Sequence, residues 1–276
     1  MAEFWDDVLA FAKGITATVG ERLLQDFGQV NASEKEDGSL VTRSDCWADE
    51  TICAAIAKRF PDHGILSEEN SQTFPGGDWC WVIDPLDGTT NFARGVPVWA
   101  ISMALLYQGT PVFGYIALPP LHQAFHGFWY GSSGLTGGPT GAFCNDRPIC
   151  TSTAAPGSNQ FFSLCSRSFP WLQRESFPCK IRMLGVASYN FLTVAAGITL
   201  GGIEATPKIW DIAAVWAILQ AAGGSWIPLD STPLFPLEVG DNYQVRSFPT
   251  LVVNQAQYGP QFQQFIQIEH SSILGG

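Results

Sequence analysis

The sequence predicts a layered fold, an α+β part and an α/β part meeting near residue 150. Three observations predict it. Two amphipathic helical stretches lead the chain, long apolar strand-like runs follow, and the second half alternates short strands with helices. The expected division is 1–150 and 151–276, packed as one compact unit. With 276 residues and 46% hydrophobic content, the chain can bury a large core. Its mean hydropathy is slightly positive, which excludes a disordered chain.

The elements follow in order. Residues 3–27 carry Phe4, Val8, Phe11, Ile15, Val19 and Leu23 at helical spacing, with Gly28 as the stop. A second helix is expected over 45–60, with Asp45 as its N-cap and Pro61 beyond its end. The run WCWVI, 79–83, reads as a buried strand. VWAISMALLY, 98–107, and PVFGYIALP, 111–119, read as paired strands around a Gln-Gly turn. Six glycines and one proline within 127–141 read as hairpin and loop. FFSLCS, 161–166, is an expected strand, and 188–196 an expected helix ended by Gly197. IWDIAAVWAILQAAGG, 209–224, is an expected helix with Ile212, Val215, Trp216 and Leu219 on one stripe. TLVVN, 250–254, is a strand and 258–268 a final helix.

Composition narrows the function. There are 14 Lys+Arg against 25 Asp+Glu, a formal net charge of −11. Such a surface repels nucleic acid and anionic membrane, so neither is an expected partner. The first residues have no signal-peptide pattern, and no apolar run is long enough to span a bilayer. Seven scattered cysteines without a CxxC pair imply reduced thiols in the cytoplasm. His63, His122, His126 and His270 lack ligand spacing and read as surface or loop residues.

The chemistry concentrates in acidic residues. WVIDPLDGTTNF, 81–92, places Asp84 and Asp87 three apart, straight after an apolar run. Two carboxylates about 4 Å apart repel by about 4 kcal/mol at an effective dielectric of 20. A hard divalent cation such as Mg²⁺, which takes carboxylate and carbonyl oxygens, would relieve this. ILSEEN adds Glu68 and Glu69 at a strand end, and Asp45 and Asp211 each open a helix. Singly, each acid has an ordinary reading: a helix cap for Asp45 and Asp211, a solvated turn for Glu68–Glu69. Their joint occurrence carries the metal reading.

In these stretches the chain resembles the inositol monophosphatase family, within the Mg²⁺-dependent, lithium-sensitive phosphatases. WVIDPLDGTTNF matches the family's DP(I/L)DGT(T/S)NF signature. WDIAAVWAILQAAGG resembles its second signature, GILSEEN its Glu-Glu element and GAFCN, 141–145, a recurrent hairpin. The resemblance runs over about residues 35–255 and implies an αβαβα sandwich of the inositol monophosphatase/fructose-1,6-bisphosphatase type, and a homodimer. It implies two to three Mg²⁺ ions: Glu68, Asp84 and the Leu86 carbonyl at one, and Asp84, Asp87 and Asp211 at another. Asp45 with Thr89, assisted by Glu68, would activate water. Gly88 and Thr89 would meet the phosphate. Gly185, Val186, Ala187, Glu204 and Asp211 would meet the rest of a small phosphorylated polyol or sugar.

The substrate side departs from the family. Gly185-Val186-Ala187-Ser188 stands where Gly-Thr-Ala or Gly-Ser-Ala is usual, so polyol recognition there would rest on backbone groups. Lys208, three residues before Asp211, reads either as a solvated cation or as a contact to a second anionic group. The expected activity is Mg²⁺-dependent hydrolysis of a phosphate monoester, inositol 1-phosphate first. Fructose 1,6-bisphosphate, phosphoadenosine phosphate, histidinol phosphate and galactose 1-phosphate are alternatives. A non-catalytic regulator keeping the fold is the rival of another class.

Overall fold

The computed structural model describes residues 2–30, 32–35, 40–131 and 133–268. Helices α1 (Ala2–Asp26) and α2 (Arg43–Arg59) form the first layer, with a small ladder, β1 (Ser33–Glu34) and β2 (Leu40–Val41), between them in sequence. They pack on a seven-stranded sheet of order β3-β4-β5-β6-β7-β8-β9. Its strands are β3 (Gly64–Ser67), β4 (Trp79–Asp87), β5 (Ala100–Tyr107), β6 (Thr110–Leu118), β7 (Gln123–Phe128), β8 (Gly141–Cys144) and β9 (Arg147–Ile149). Only β3 and β4 run parallel; the other neighbours are antiparallel.

β4, β5 and β6 are buried almost end to end, because helices cover both faces. That is why their sequences read as continuous apolar runs and not as alternation. Short α3 (Thr89–Arg94) follows β4. The middle layer is α4 (Ala187–Ala195) and α5 (Ile209–Ala221). Beyond it lies a five-stranded sheet of order β11-β10-β12-β14-β13. Its strands are β10 (Phe161–Leu164), β11 (Lys180–Arg182), β12 (Gly201–Glu204), β13 (Ser225–Pro228) and β14 (Thr250–Val253). Phe262 of α6 (Gly259–Gln263) packs with Leu251 and Val253 on its outer face. The layers therefore read αβαβα.

α5 departs from the single stripe expected. Ala213, Ala214, Ala217 and Ile218 are buried along with Ile212, Val215 and Leu219, while Trp216 is half-buried. A helix enclosed between two sheets has no solvent face. Two glycines bring it down onto the first sheet. A Cβ on Gly114 of β6 would stand 2.0 Å from the Ala214 carbonyl oxygen, and one on Gly127 of β7 2.8 Å from the Ile218 Cα. Only glycine permits that approach, and it lowers the Asp211 end of α5 toward β4 and β5.

Other boundaries differ from expectation. The final helix is one short turn, Gly259–Gln263, and residue 266 already pairs with Leu172 as an isolated bridge. His126 is not a surface residue: it is buried in β7, stacked on Phe143, and burial pushes it down to about 4. His63 stacks between Phe60 and Trp79. His270 lies outside the described residues.

Candidate active site

The site assembles where β3 and β4 end and where α3, α4 and α5 begin. Asp84 and Asp87 are an odd number of residues apart, so a regular strand would send them to opposite faces. The ladder to β5 slips by one residue between them: Asp84 faces Ser102, whereas Asp87 faces Ala100. That bulge holds Pro85, which has no N–H to give a ladder, and it returns Asp87 to the Asp84 face. The Leu86 N–H then donates to Asp84 Oδ1 at 2.9 Å. Gly88 turns the chain with φ 94° into α3.

Asp211 arrives from the third helical position of α5, where the Lys208 N–H donates to its Oδ2 at 2.7 Å. It is not the N-cap residue itself. Asp84, Asp87 and Asp211 each offer a carboxylate oxygen within 4.8 Å of the others. Burial pushes Asp84 well above the usual carboxylate range, and the charges of Glu68, Asp87 and Asp211 push it further. Asp211 is raised likewise, by burial and then by Asp87 and Glu68. Oxygen-only donors, two of them buried and Asp211 half-buried, that repel one another suit a hard divalent cation. On this ground the residues present fit a metal.

The second half meets the first through backbone. The Ser188 N–H donates to Asp87 Oδ2 at 2.8 Å and the Ala187 N–H to Asp87 Oδ1 at 3.3 Å. Of the amides in the 185–188 stretch, those of Ala187 and Ser188 are therefore committed to Asp87. Val186 is buried, and its Cγ2 would lie 2.7 Å from a Cβ on Gly88; it packs under the turn and does not line the site with polar groups. The Asn91 side-chain amide donates to the Val98 and Leu184 carbonyls, both at 2.9 Å, and so ties α3 to the segment before Gly185.

Asp45 is the third helical residue of α2 and closes a capping box. Thr42 is the N-cap, and its backbone N–H donates to Asp45 Oδ2 at 2.9 Å, as does its hydroxyl. The expected start of α2 thus moves back by two residues. The other oxygen, Asp45 Oδ1, accepts the Thr89 hydroxyl at 2.9 Å. Burial raises the Asp45 carboxyl, while Thr42 and Thr89 oppose the rise.

Glu68 and Glu69 sit after β3, where Asp49 of α2 accepts Ser67 Oγ and the Asn70 amide and fixes the turn. The structure adds a residue that the motifs did not single out. Lys35 places its amine 2.8 Å from Glu68 Oε1 and 2.6 Å from Glu69 Oε1. The two carboxylates hold Lys35 charged, above the usual lysine range, although burial works against this. Burial still pushes Glu68 up to about 7, against the pull of Lys35. Glu68 therefore lies beside the aspartate trio without joining its converging oxygens.

Glu204, at the end of β12, is buried and accepts the Asn190 amide. Lys208 directs its amine to the Gln244 carbonyl at 2.9 Å. The Asn190 Oδ1 is buried with no hydrogen-bond partner among the described residues.

The family model described as the inositol monophosphatase family matches residues 5–244. The chain belongs to that family. Its members are metal-dependent phosphatases. A fructose-1,6-bisphosphatase/inositol-1-monophosphatase of Aquifex aeolicus is 32% identical over 229 residues, covering 78% of this chain and 83% of that one. A histidinol-phosphatase of Chlorobaculum parvum is 29% identical over 228 residues, with the same 78% and 83% coverage. Among solved structures, an IMPase of Thermotoga maritima superposes with a TM-score of 0.79 at 28% identity, over 93% of this chain and 96% of that one. No helix among the described residues is long and apolar enough to cross a membrane.

Proposed function

We propose that this chain hydrolyses a small phosphate monoester, inositol 1-phosphate being the simplest candidate, with Mg²⁺ ions in the acidic site. The observation that carries the reading is the convergence of Asp84, Asp87 and Asp211 beside the Asp45–Thr89 pair. Asp84, Asp87 and Asp211 would hold one ion. Glu68, Asp84 and the Leu86 carbonyl would hold another, with Glu68 using the oxygen that Lys35 leaves free. Divalent cations in such a site neutralise phosphoryl oxygens and acidify water.

The remaining work falls to the chain. Thr89 donates its proton to Asp45 Oδ1, which leaves a lone pair on Thr89 Oγ1 to accept a water proton. As the water attacks phosphorus, the ester P–O bond opposite it breaks, the water's proton passes to Thr89 Oγ1 and the Thr89 proton to Asp45 Oδ1, and the leaving alkoxide takes a proton from a second water. Thr42 fixes the carboxylate through its other oxygen, so the relay is oriented beforehand. The Gly88 and Thr89 N–H groups would meet the phosphate, and Glu204 would meet ring hydroxyls. The family relatives act on different esters by name, so the substrate must be measured. Phosphate release from inositol 1-phosphate, fructose 1,6-bisphosphate, histidinol phosphate, phosphoadenosine phosphate and galactose 1-phosphate, with Mg²⁺ or with EDTA, tests the reading. We expect turnover with Mg²⁺ only, suppressed by millimolar Li⁺. Turnover unchanged by EDTA, or none on any ester, would overturn it.

A further inference from the structure

β13 and β14 are antiparallel neighbours. A turn of about two to five residues would join such a pair. Residues 229–249 join them instead, with no helix or strand of their own. A loop of this length is uncommon unless it serves a site. Its last part, 237–248, leaves the second sheet and reaches across to the first. There the Leu237 N–H donates to the Gly109 carbonyl, between β5 and β6, at 2.9 Å. A Cβ on Gly109 would stand 2.7 Å from the Leu237 carbonyl oxygen, so the approach needs glycine.

The segment then meets both sides of the acidic site. On one side it pairs with residues 72–74, which follow the Glu68–Glu69 turn. The Gly240 N–H donates to the Phe74 carbonyl and the Phe74 N–H to the Asp241 carbonyl, both at 2.9 Å; the Tyr243 N–H donates to the Gln72 carbonyl at 2.8 Å. Gln72 carries the connection on: its side-chain amide donates to the Glu68 carbonyl at 2.6 Å. The Glu68 N–H donates to the carbonyl of Ile83, the residue before Asp84, at 3.2 Å. On the other side the Phe248 N–H donates to the Pro207 carbonyl and the Lys208 amine to the Gln244 carbonyl, both at 2.9 Å. Lys208 is the residue whose N–H holds Asp211. Tyr243 and Phe248 anchor the crossing, buried in one core with Phe74, Ile209 and Trp210.

One segment thus links Glu68, carried by the first sheet, with Asp211, carried by α5. We propose that 237–248 is a brace that sets the spacing of these two acids, and that Gln72 is its positioning residue at Glu68. The proposal rests on the reading of Glu68 as a metal ligand. Freeing the Glu68 carbonyl would loosen the ion at Glu68 and spare the ion held by the aspartate trio. Partners that orient a ligand in this way are worth about tenfold or more in metal affinity.

The test is a calorimetric Mg²⁺ titration of metal-free wild type, Gln72→Met, Glu68→Gln and the double variant. Gln72→Met keeps the reach of the side chain and removes its donor. It should weaken one ion about tenfold and leave the other within about twofold. In the Glu68→Gln background, where that ion is lost, it should change nothing further. Amide exchange reports on the brace itself: Mg²⁺ should slow exchange at Tyr243 and Phe248 in the wild type, and at Tyr243 less in Gln72→Met. Equal weakening of both ions, an unchanged titration, a further loss in the Glu68→Gln background, or exchange at Tyr243 and Phe248 that ignores Mg²⁺ would overturn the proposal and leave the metal reading standing. No Mg²⁺ binding by the wild type would overturn both.

Discussion

Two acidic groups share one end of this molecule and are handled in opposite ways. Glu68 and Glu69 meet the amine of Lys35, so part of their charge is offset within the chain. Asp84, Asp87 and Asp211 meet the backbone N–H groups of Leu86, Ala187, Ser188 and Lys208 instead. Amide dipoles orient a carboxylate but carry no net charge to cancel it. The trio is accordingly held in place and left in mutual repulsion, of about 3 kcal/mol for each ionised pair at this spacing and an effective dielectric of 20. The difference separates acids that share a cation of the chain from acids that meet only dipoles. On our reading the trio is kept strained so that binding Mg²⁺ relieves it.

The largest effect should come from breaking the trio. Asp84→Asn should lower phosphate release by about three orders of magnitude, as expected when a metal site is lost. The same change should raise the melting temperature of the Mg²⁺-free protein by several degrees, since it removes a repelling charge; a chain of this size gains roughly 2–4 °C per kcal/mol. Calorimetric melting with EDTA checks this, and a fall in melting temperature would mean that Asp84 is a structural partner.

Breaking the other group should act in the opposite sense. Lys35→Met leaves Glu68 and Glu69 facing each other and should cost about 1–3 kcal/mol in urea unfolding at pH 8, because half-buried charges lose their counterion. The loss should shrink at pH 5, where the glutamates take up protons. A cost that does not vary with pH would mean that Lys35 contributes by packing alone.

The smallest effect is the pH dependence of the intact protein. Asp84, Asp211 and Glu68 are raised in the folded state, so the folded protein binds protons that the unfolded chain releases. Their contribution to stability is present below the ordinary carboxylate range and is lost as pH rises through the raised values, near 7 for Glu68. Without metal, stability should therefore increase from pH 8 to pH 6, by about 1 kcal/mol per pH unit for each proton taken up. Saturating Mg²⁺ should flatten the trend; a stability that rises toward pH 8 without metal would contradict the raised acids.

The sequence shows unequal parts of this. The long apolar strands and the paired aspartates were legible because burial on both faces and the DPLDGTTNF run leave local marks. The shared face of Asp84 and Asp87 was not, although Pro85 within the strand was the clue to a bulge. Lys35 was hidden because its partners lie 33 and 34 residues away and its neighbours read as an ordinary charged loop. β11, β12 and β13 have three or four residues each, too few to show a period. The stripe on α5 was real but incomplete, since Ala213, Ala214 and Ala217 are small and their burial depends on Gly114 and Gly127 across the layer. Asp45 was placed at the right helix end and two positions from its true start, because Thr42 is the cap and Asp45 its reciprocal partner.

The most direct measurement is a calorimetric Mg²⁺ titration of metal-free wild-type protein beside Asp84→Asn and Asp211→Asn. The account predicts saturable binding of at least two equivalents by the wild type and loss of at least one in each variant, with all three folded by circular dichroism. No binding by the wild type up to tens of millimolar, or equal binding by all three, would contradict it.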